Sequence, residues 1–354
     1  MSDSSAIEAR DLVLRFGWNS TCFQIVNPGI ERWFTPSRDA VIGYVVRKGV
    51  RVVAGAPICS EDRLEAVVAQ WEEESRLAGQ SVCYFGAEGR MRELLEGRSG
   101  YSTVSLGAQP NWNPQNWPEI FDHDKGLRAQ RNRAFNKGVR VSEWSVDQAT
   151  NNARLKKCLD EWLTTRGLPP MHFLVEPETL ALVYGRRVFV AEQNDRVVGF
   201  LVLSPVPNRN GWLTEQFPRA HNSPNGTVEI LMDFAIRQVR ASGVEYLTMG
   251  IVPLSLHGAN EALPNPTWLQ ITAGWVRAHG RRFYNFDGLD RFKSKFRPEQ
   301  WEPIYVISNE RSFSVKTLIA IAGAFSDGSP TSALARGLVK ALKQEIKWLS
   351  DPRS

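Results

Sequence analysis

The sequence predicts an α/β protein made of two tandem units with mixed sheets, followed by C-terminal helices. Two stretches with alternating apolar residues predict hairpins, 41–57 with a turn at Lys48-Gly49 and 187–205 with a turn at Asn194-Asp195. After each hairpin the chain carries an apolar pattern of helical period and then a short apolar strand pattern. Because this order occurs twice, we expect two units of one fold joined in tandem.

In the first unit, Ser60 is suited to begin a helix and Gly79 to end it. A buried strand is predicted at 81–87, a second helix at 89–97 and a further strand near Thr103–Leu106. The apolar positions of the first helix recur at the i, i+3, i+4 and i+7 spacing of an amphipathic helix: Leu64, Val67, Val68 and Trp71.

In the second unit, a helix near Asn152–Thr165 precedes the hairpin. A strand at Gly211–Phe217, a helix from just after Gly226 to about Ala241 and a strand at Val244–Val252 follow. Hairpin, strand, helix and strand is the order of the acetyltransferase-like (GNAT) fold. The predicted organisation is a first unit at 1–122, a linking basic helix at 123–145, a second unit at 146–310 and amphipathic helices at 311–354.

The composition is that of a globular protein, with 42% hydrophobic and 23% charged residues among 354. The four cysteines lie far apart and form no metal-binding spacing, so we expect reduced cysteines and no metal site. No apolar stretch reaches the roughly 18 residues of a membrane span, and the first residues lack an apolar signal segment. These features predict a cytoplasmic protein, and the net charge of +5 favours polyanionic partners.

The tail from Ser314 onward predicts two helices separated by a polar segment. The second, at 332–349, carries leucines along one side and basic residues largely elsewhere. Such a helix either covers a domain or lies on an anionic lipid surface, and the stripe alone does not separate the two.

Several segments in order resemble one known family. They are the hairpin at 187–205 with the strand that carries Trp212 and Glu215, the stretch Pro224–Ser255, and the stretch Phe283–Val306. The basic segment 125–144 is similar to the family's linking helix. On these motifs the chain resembles the catalytic domain of bacterial aminoacyl-phosphatidylglycerol synthases, also called multiple peptide resistance factors.

The resemblance implies a tRNA-dependent aminoacyltransferase that moves an amino acid from aminoacyl-tRNA to a lipid hydroxyl, chiefly that of phosphatidylglycerol. It implies no cofactor, catalysis in the second unit, and a place on the inner face of the cytoplasmic membrane. Two alternatives remain enzymatic: transfer to a sterol, peptide or small molecule, and N-acylation from acyl-coenzyme A. The loop 219–226 disfavours coenzyme A, because it has one glycine and a proline where a pyrophosphate loop needs free N–H groups. A non-catalytic module on a membrane surface is the remaining alternative.

Catalytic residues are expected in the second unit. Glu215, in an aromatic strand, is a candidate general base for the attacking hydroxyl. Arg219 is either a phosphate ligand or half of a surface ion pair. Glu229, in the first turn of a helix, either binds the donor's amino group or only complements the helix dipole.

Substrate-binding residues are expected around the same helix. Asn225 and Gly226 precede it and offer backbone N–H groups to a phosphate or oxyanion. The resemblance adds residues from its Gly-x-x-Pro-Leu-Ser and Tyr-Asn patterns, and Ser255 is as well suited to capping a turn: Gly250, Pro253, Ser255, Tyr284 and Asn285.

Contacts to tRNA are expected from two basic segments. The stretch 125–140 has six basic residues and no acid, with Arg128 and Arg131 as the named candidates, although such a run is also typical of a solvent face. Lys293 and Lys295 alternate with two phenylalanines, which suits phosphate and stacked-base contacts but also a solvated strand or loop edge.

Overall fold

A computed structural model gives the fold and describes residues 4–165, 171–255, 257, 268 and 286–326. In the N-terminal half the strands are β1 (Glu31–Phe34), β2 (Val41–Arg47), β3 (Val50–Ala54), β4 (Ser81–Ala87) and β5 (Ser102–Trp112). The helices of this half are α1 (Ser4–Phe16), α2 (Leu64–Leu77), α3 (Gly89–Leu95), α4 (Trp117–His123) and α5 (Lys125–Asn136).

The C-terminal half contributes the remaining elements. Its strands are β6 (Arg140–Trp144), β7 (Arg187–Gln193), β8 (Arg196–Val206), β9 (Gly211–Gln216), β10 (Tyr246–Thr248), β11 (Val252–Pro253) and β12 (Gln300–Ser308). Its helices are α6 (Val146–Ala149), α7 (Ala153–Thr164), α8 (Thr227–Ala241), α9 (Phe286–Ser294) and α10 (Val315–Ala324).

The strands of the described residues form one mixed sheet in the order β1-β2-β3-β4-β12-β5-β10-β9-β8-β7-β6, with β11 beside β5. The pairs β3–β4 and β9–β10 are parallel, and in each a helix connects the two strands, α2 in the first and α8 in the second. Parallel neighbours need such a crossover connection, whereas the hairpins β2–β3 and β7–β8 turn directly. The predicted α/β class with two units of acetyltransferase-like order is therefore confirmed.

The sheet is continuous across the two halves. Strand β12, which comes late in the chain, lies between β4 and β5 and is antiparallel to both. The two predicted mixed sheets are thus joined into one, since the C-terminal half supplies a strand to the N-terminal half. The predicted unit boundaries at 122 and 310 therefore divide the chain by sequence order, but they do not separate two sheets.

Three elements differ from the prediction. The linking helix predicted at 123–145 ends at Asn136, because Gly138 has a φ of 85° that stops the helix, and 140–144 forms β6. The predicted strand Val244–Val252 is interrupted after Thr248 and resumes as β11. The segment with Lys293 and Lys295 belongs to the end of α9 and the turn after it, not to a strand. The predicted helix at 332–349 lies outside the described residues.

The interruption between β10 and β11 opens the sheet. Strand β10 pairs with β9 over Tyr246–Thr248 only, whereas on its other side the chain stays beside β5, where Thr248 pairs with Asn111 and Val252 with Ala108. Strand β9 continues to Gln216 without that neighbour. A parallel pair that separates at its carboxyl ends leaves room for a ligand between the strands.

Candidate functional site

A cavity of about 510 Å³ lies where α5, α8 and α9 meet the segment after β9. Its apolar lining includes the rings of Trp162, Phe217 and Phe292, and the last two pack edge to face with centroids 6.0 Å apart. Six residues predicted from the sequence line this cavity: Arg219, Asn225, Gly226, Glu229, Lys293 and Lys295. Residues from three separate motifs are therefore brought together at one place.

Glu229 and Lys295 form an ion pair at the cavity. The Glu229 Oε1 atom lies 2.7 Å from Lys295 Nζ, and the two side chains are 10% and 38% exposed. The Lys295 ammonium also lies 4.8 Å from the ring centroid of Phe292 and 5.1 Å from that of Phe296. Glu229 stands in the first turn of α8, where the helix dipole favours a carboxylate, as one of its two predicted descriptions requires, and its binding of the donor's amino group stays a prediction.

Two guanidinium groups at the cavity have no partner among the described residues. Arg219 and Arg133 are both exposed, and neither side chain makes a hydrogen bond or ion pair in the part of the chain that the structure describes. A guanidinium presents a planar fork of N–H donors that matches two phosphate oxygens. Arg219 is thus free to bind an anion, as one of its two predicted descriptions requires.

The start of α8 is held close to α5. Gly226 has a φ of 96°, and a Cβ atom placed there would lie 1.9 Å from the carbonyl oxygen of Gln130 on α5. Only glycine allows both that backbone conformation and that approach. The Thr227 N–H donates to the Pro224 carbonyl oxygen, and the next N–H groups of α8 have no acceptor within the helix, so this end offers N–H donors beside the exposed Asn225.

Lys293 is buried, unlike its neighbour in the motif. Its ammonium donates to three successive carbonyl oxygens between β10 and β11, those of Met249 at 2.6 Å, Gly250 at 2.9 Å and Ile251 at 3.1 Å. These three bonds use all its N–H donors, which leaves none for a tRNA phosphate. Lys293 and Gly250 therefore shape the opening of the sheet together.

Lys293 gives the free energy of unfolding a pH dependence. Burial lowers the pKa of Lys293 from 10.5 to about 7, and the Asp290 carboxylate opposes the shift. Between these values the unfolded chain binds a proton that the folded chain lacks, so stability rises with pH. We expect the stability of the wild type relative to Lys293→Met to increase by about 2 kcal/mol from pH 7 to pH 9. Urea unfolding at both pH values measures this, and a flat or falling difference would contradict it.

Glu215 lies away from the cavity. Its carboxylate is 3.0 Å from Arg186 Nε in an ion pair that is buried on both sides, and it accepts a hydrogen bond of 2.7 Å from Gln24 Nε2. Arg186 also donates to Asn27 Oδ1 at 2.7 Å. The predicted base thus holds β9 against the N-terminal half, and its oxygen atoms are occupied by fixed donors.

Ser255 is bound to α9. Its hydroxyl donates to Asp290 Oδ2 at 2.8 Å, and His257 Nε2 lies 3.0 Å from the other oxygen of the same carboxylate. The His257 ring stacks on Trp301 with centroids 4.2 Å apart. Pro253 pairs with Gly107 in the sheet. Ser255 therefore fastens the chain after β11, while the predicted residues Tyr284 and Asn285 lie outside the described residues.

The basic residues of α5 have different surroundings. Arg131 Nε lies 3.6 Å from the buried Asp233 carboxylate, which also accepts from Trp117 Nε1 at 2.9 Å. Arg128 is partly exposed, and within the described ranges its side chain has no partner. Arg128 therefore remains available to a phosphate backbone, whereas Arg131 also neutralises a buried acid.

Arg133, Gln130 and Trp162 are among the lining residues that the sequence did not single out. Arg133 belongs to the predicted basic run, so a signal for it existed, but nothing distinguished it from its neighbours. Gln130 and Trp162 lie on predicted helices, and no local sequence pattern indicated that their side chains line a site. Their role depends on how α5 and α7 pack, which is a long-range property.

Across the described residues, no helix has the length and apolar character needed to cross a bilayer. No three His, Cys, Asp or Glu side chains in these same ranges are grouped as a metal site would require.

Residues 10–308 match the family described as phosphatidylglycerol lysyltransferase, C-terminal. A phosphatidylglycerol lysyltransferase of Staphylococcus xylosus is 24% identical over 290 residues, which cover 79% of this chain and 33% of that protein. The chain spans about a third of the length of the curated relatives that it matches.

Two solved structures share the fold. A C-terminal domain ascribed to a candidate lysylphosphatidylglycerol synthetase of Agrobacterium fabrum superimposes with a TM-score of 0.78 at 20% identity, covering 93% of this chain and 99% of that one. The structure of L-PGS from Bacillus licheniformis gives 0.74 at 19% identity, covering 90% and 95%. The resemblance first seen in the motifs is confirmed over most of the sequence, and the chain belongs to the phosphatidylglycerol lysyltransferase C-terminal family.

Proposed function

We propose that this chain transfers an amino acid from aminoacyl-tRNA to a lipid hydroxyl, with phosphatidylglycerol as the acceptor. The observation that carries the proposal is the cavity, which combines two unpaired guanidinium groups with a carboxylate fixed by a lysine. An aminoacyl-tRNA 3′ end presents the matching groups, since it has phosphates and bases next to an ester whose amino group is positively charged.

Each end of the donor has a proposed partner. Arg133 and Arg219 bind phosphates of the tRNA 3′ end, and the rings of Trp162 and Phe217 supply surfaces for bases. The carboxylate of Glu229 binds the ammonium group of the amino acid. Arg128 extends the basic surface along α5 toward the rest of the acceptor stem.

The chemistry needs little beyond positioning, because the ester is already activated. The acceptor hydroxyl attacks the ester carbonyl, a new ester bond forms, and the bond to the tRNA ribose oxygen breaks. The hydroxyl proton ends on that ribose oxygen, so the reaction is balanced without a further reactant. The N–H groups at the start of α8 face the developing oxyanion. Holding the two reactants together can contribute about 7–11 kcal/mol to lowering the barrier.

Glu215 and Lys293 have positioning roles in this proposal. Glu215 fixes β9, the strand that leads directly to Phe217 and Arg219. Lys293 holds the carbonyl groups between β10 and β11 and so keeps the sheet open at the site.

The proposal predicts transfer of radiolabel from charged tRNA into a chloroform-extractable product when phosphatidylglycerol vesicles are present. The names of the relatives favour lysine as the first amino acid to test. Label that remains in the aqueous phase would overturn the lipid acceptor, and transfer that survives ribonuclease treatment of the charged tRNA would overturn the donor.

The double variant Arg133→Ala/Arg219→Ala tests the phosphate contacts. We expect it to bind tRNA about tenfold more weakly near 50 mM salt and to flatten the salt dependence of log Kd by about 0.7 for each phosphate that is no longer neutralised. The matched control is Arg311→Ala, which removes an exposed arginine just beyond β12. An unchanged salt slope in the double variant would exclude these residues from the tRNA interface.

A further inference from the structure

A second pocket, of about 210 Å³, lies near the start of β9 and β10 and carries an excess of negative charge. We call it the acidic pocket. Its charged lining consists of three carboxylates and one guanidinium: Glu245, Glu299, Glu302 and Arg209. The chain as a whole has a net charge of +5, so the charge of this pocket is opposite in sign to that of the whole chain.

The carboxylates differ in how far they are already engaged. Glu302 forms an ion pair with Arg209 and accepts a hydrogen bond of 3.1 Å from the Tyr246 hydroxyl. Glu299 accepts from the backbone N–H of Asn113 at 2.6 Å and from Asn116 Nδ2 at 2.7 Å. The exposed carboxylate of Glu245 has no partner among the residues that the structure describes. A free anionic acceptor thus stands at the pocket.

Asn111 provides an independent sign of a ligand. It is only 7% exposed, lines the pocket, and its carboxamide makes no hydrogen bond within the described part of the chain. Buried side-chain amides are normally hydrogen-bonded, and the Asn111 carboxamide is not one of the fully enclosed polar groups of the described residues, so its atoms face the open pocket. An acceptor and two donors at this position are therefore ready for a molecule in the pocket.

The register of the sheet shows where the Asn111 side chain points. Gln109 lies two residues before it on β5, and its amide reaches Tyr246 and Glu302, both of which line the pocket. Side chains two apart on a strand share a face, so Asn111 points to the same side. The next residue, Trp112, points to the other face and packs in the core beneath α8. The acidic pocket therefore opens on the face of the sheet opposite α8 and the transfer cavity.

We propose that the acidic pocket is a binding site for a small aliphatic amine in its ammonium form. An ammonium group has three N–H donors, which match the two carboxylate oxygens of Glu245 and the amide oxygen of Asn111. The Arg209 guanidinium is already paired with Glu302 and Glu88 and lies 3.6 Å from the centroid of the Tyr246 ring, so it does not neutralise Glu245.

A metal ion fits less well. The described residues contain no group of three acidic, histidine or cysteine side chains arranged for a metal, and the Glu299 oxygens are already bound by N–H donors that a metal would have to displace. An ammonium ion needs no such rearrangement, because it binds to carboxylate and amide oxygens that still have free lone pairs.

Titration calorimetry of the full chain with 1,4-diaminobutane tests the proposal, and 1,4-butanediol serves as the uncharged probe of the same shape. We expect saturable binding of the diamine and none of the diol. Glu245→Gln and Asn111→Leu should each weaken diamine binding by about tenfold or more. The control is Glu93→Gln, which removes an exposed, unpaired carboxylate elsewhere on the described surface and should leave binding unchanged.

The outcomes separate this site from the transfer site. Diamine binding that is equal in the wild type and in Glu245→Gln would overturn the proposal, as would displacement of the diamine by equimolar Mg²⁺. Thermal unfolding curves of Glu245→Gln and Asn111→Leu serve to check that both variants are folded. Glu245→Gln should retain wild-type aminoacyl transfer. The calorimetric test measures diamine binding alone, so it can be interpreted even if the wild type shows no aminoacyl transfer.

Discussion

Replacing Glu229 by glutamine is expected to reduce kcat/KM for the aminoacyl donor by about 100-fold, mainly through a higher KM. The change preserves the shape of the side chain but removes the negative charge that faces the cavity. It also leaves the Lys295 ammonium, 2.7 Å away, without its counter-charge. The donor's ammonium group would then meet a positive charge where the wild type offers a carboxylate, so binding of the donor is weakened before any chemistry occurs.

Steady-state kinetics with charged tRNA as the varied substrate measures this effect. The double variant Glu229→Gln/Lys295→Met identifies its cause, because removing the stranded ammonium should restore part of the lost affinity. Glu93→Gln is the control for loss of one negative charge outside the cavity. A lower kcat with unchanged KM, together with an altered pH profile, would show that Glu229 accepts a proton instead of binding the amino group.

The parts of the fold that follow from local periodicity were predictable. The hairpin β7–β8 and the helix α8 have the predicted limits to within one or two residues, since an alternating or a helical pattern shows itself within a dozen residues. The same applies to the site residues on α8, because Asn225, Gly226 and Glu229 are close in sequence. The contact of Glu229 with Lys295, about 70 residues later, was not predicted, because the family resemblance marked both motifs without indicating that they meet.

The long-range parts were not predictable in this way. Strand β5 was predicted only near Thr103–Leu106, and the segment after it contains Gly107 and Pro110, residue types that are uncommon within strands. It continues to Trp112, since β12 inserts beside it and a register shift opposite Ile304 and Tyr305 absorbs the irregularity. Pairing with a strand nearly 200 residues away leaves no trace in the local sequence.

The contacts of charged residues were also not predictable from the local sequence. Glu215 and Lys293 were chosen from their motifs, yet the roles of both depend on partners that no spacing reveals. Arg186 precedes β7 and forms a buried ion pair with Glu215, and the carbonyl oxygens around Lys293 belong to the backbone. The motifs therefore marked these residues without showing which contacts each one makes.

Replacing Gly226 by alanine is expected to destabilise the fold by about 3 kcal/mol and to abolish most transfer activity. The new Cβ atom would lie 1.9 Å from the carbonyl oxygen of Gln130, and its other cost is the φ of 96°, which alanine adopts poorly. Since a backbone oxygen has no rotamer to escape into, α5 must move away from α8. That movement would carry Arg133 away from Arg219 and Glu229 and widen the cavity between them.

Gly243 lies beyond the C-terminal end of α8. A substitution there measures the cost of the backbone conformation separately from the cost of the steric clash. Its φ is 73°, but a Cβ atom there would meet nothing within 4 Å, so Gly243→Ala should lose only the backbone preference, about 1 kcal/mol. Urea unfolding of both variants measures the difference, and tRNA binding by Gly226→Ala reports the displaced arginine. Equal destabilisation of the two variants would mean that α5 can move away from the new Cβ atom at Gln130 with little cost in free energy. The close approach of α5 to α8 would then contribute little to the shape of the site, and Arg133 would have to reach the donor from a mobile helix.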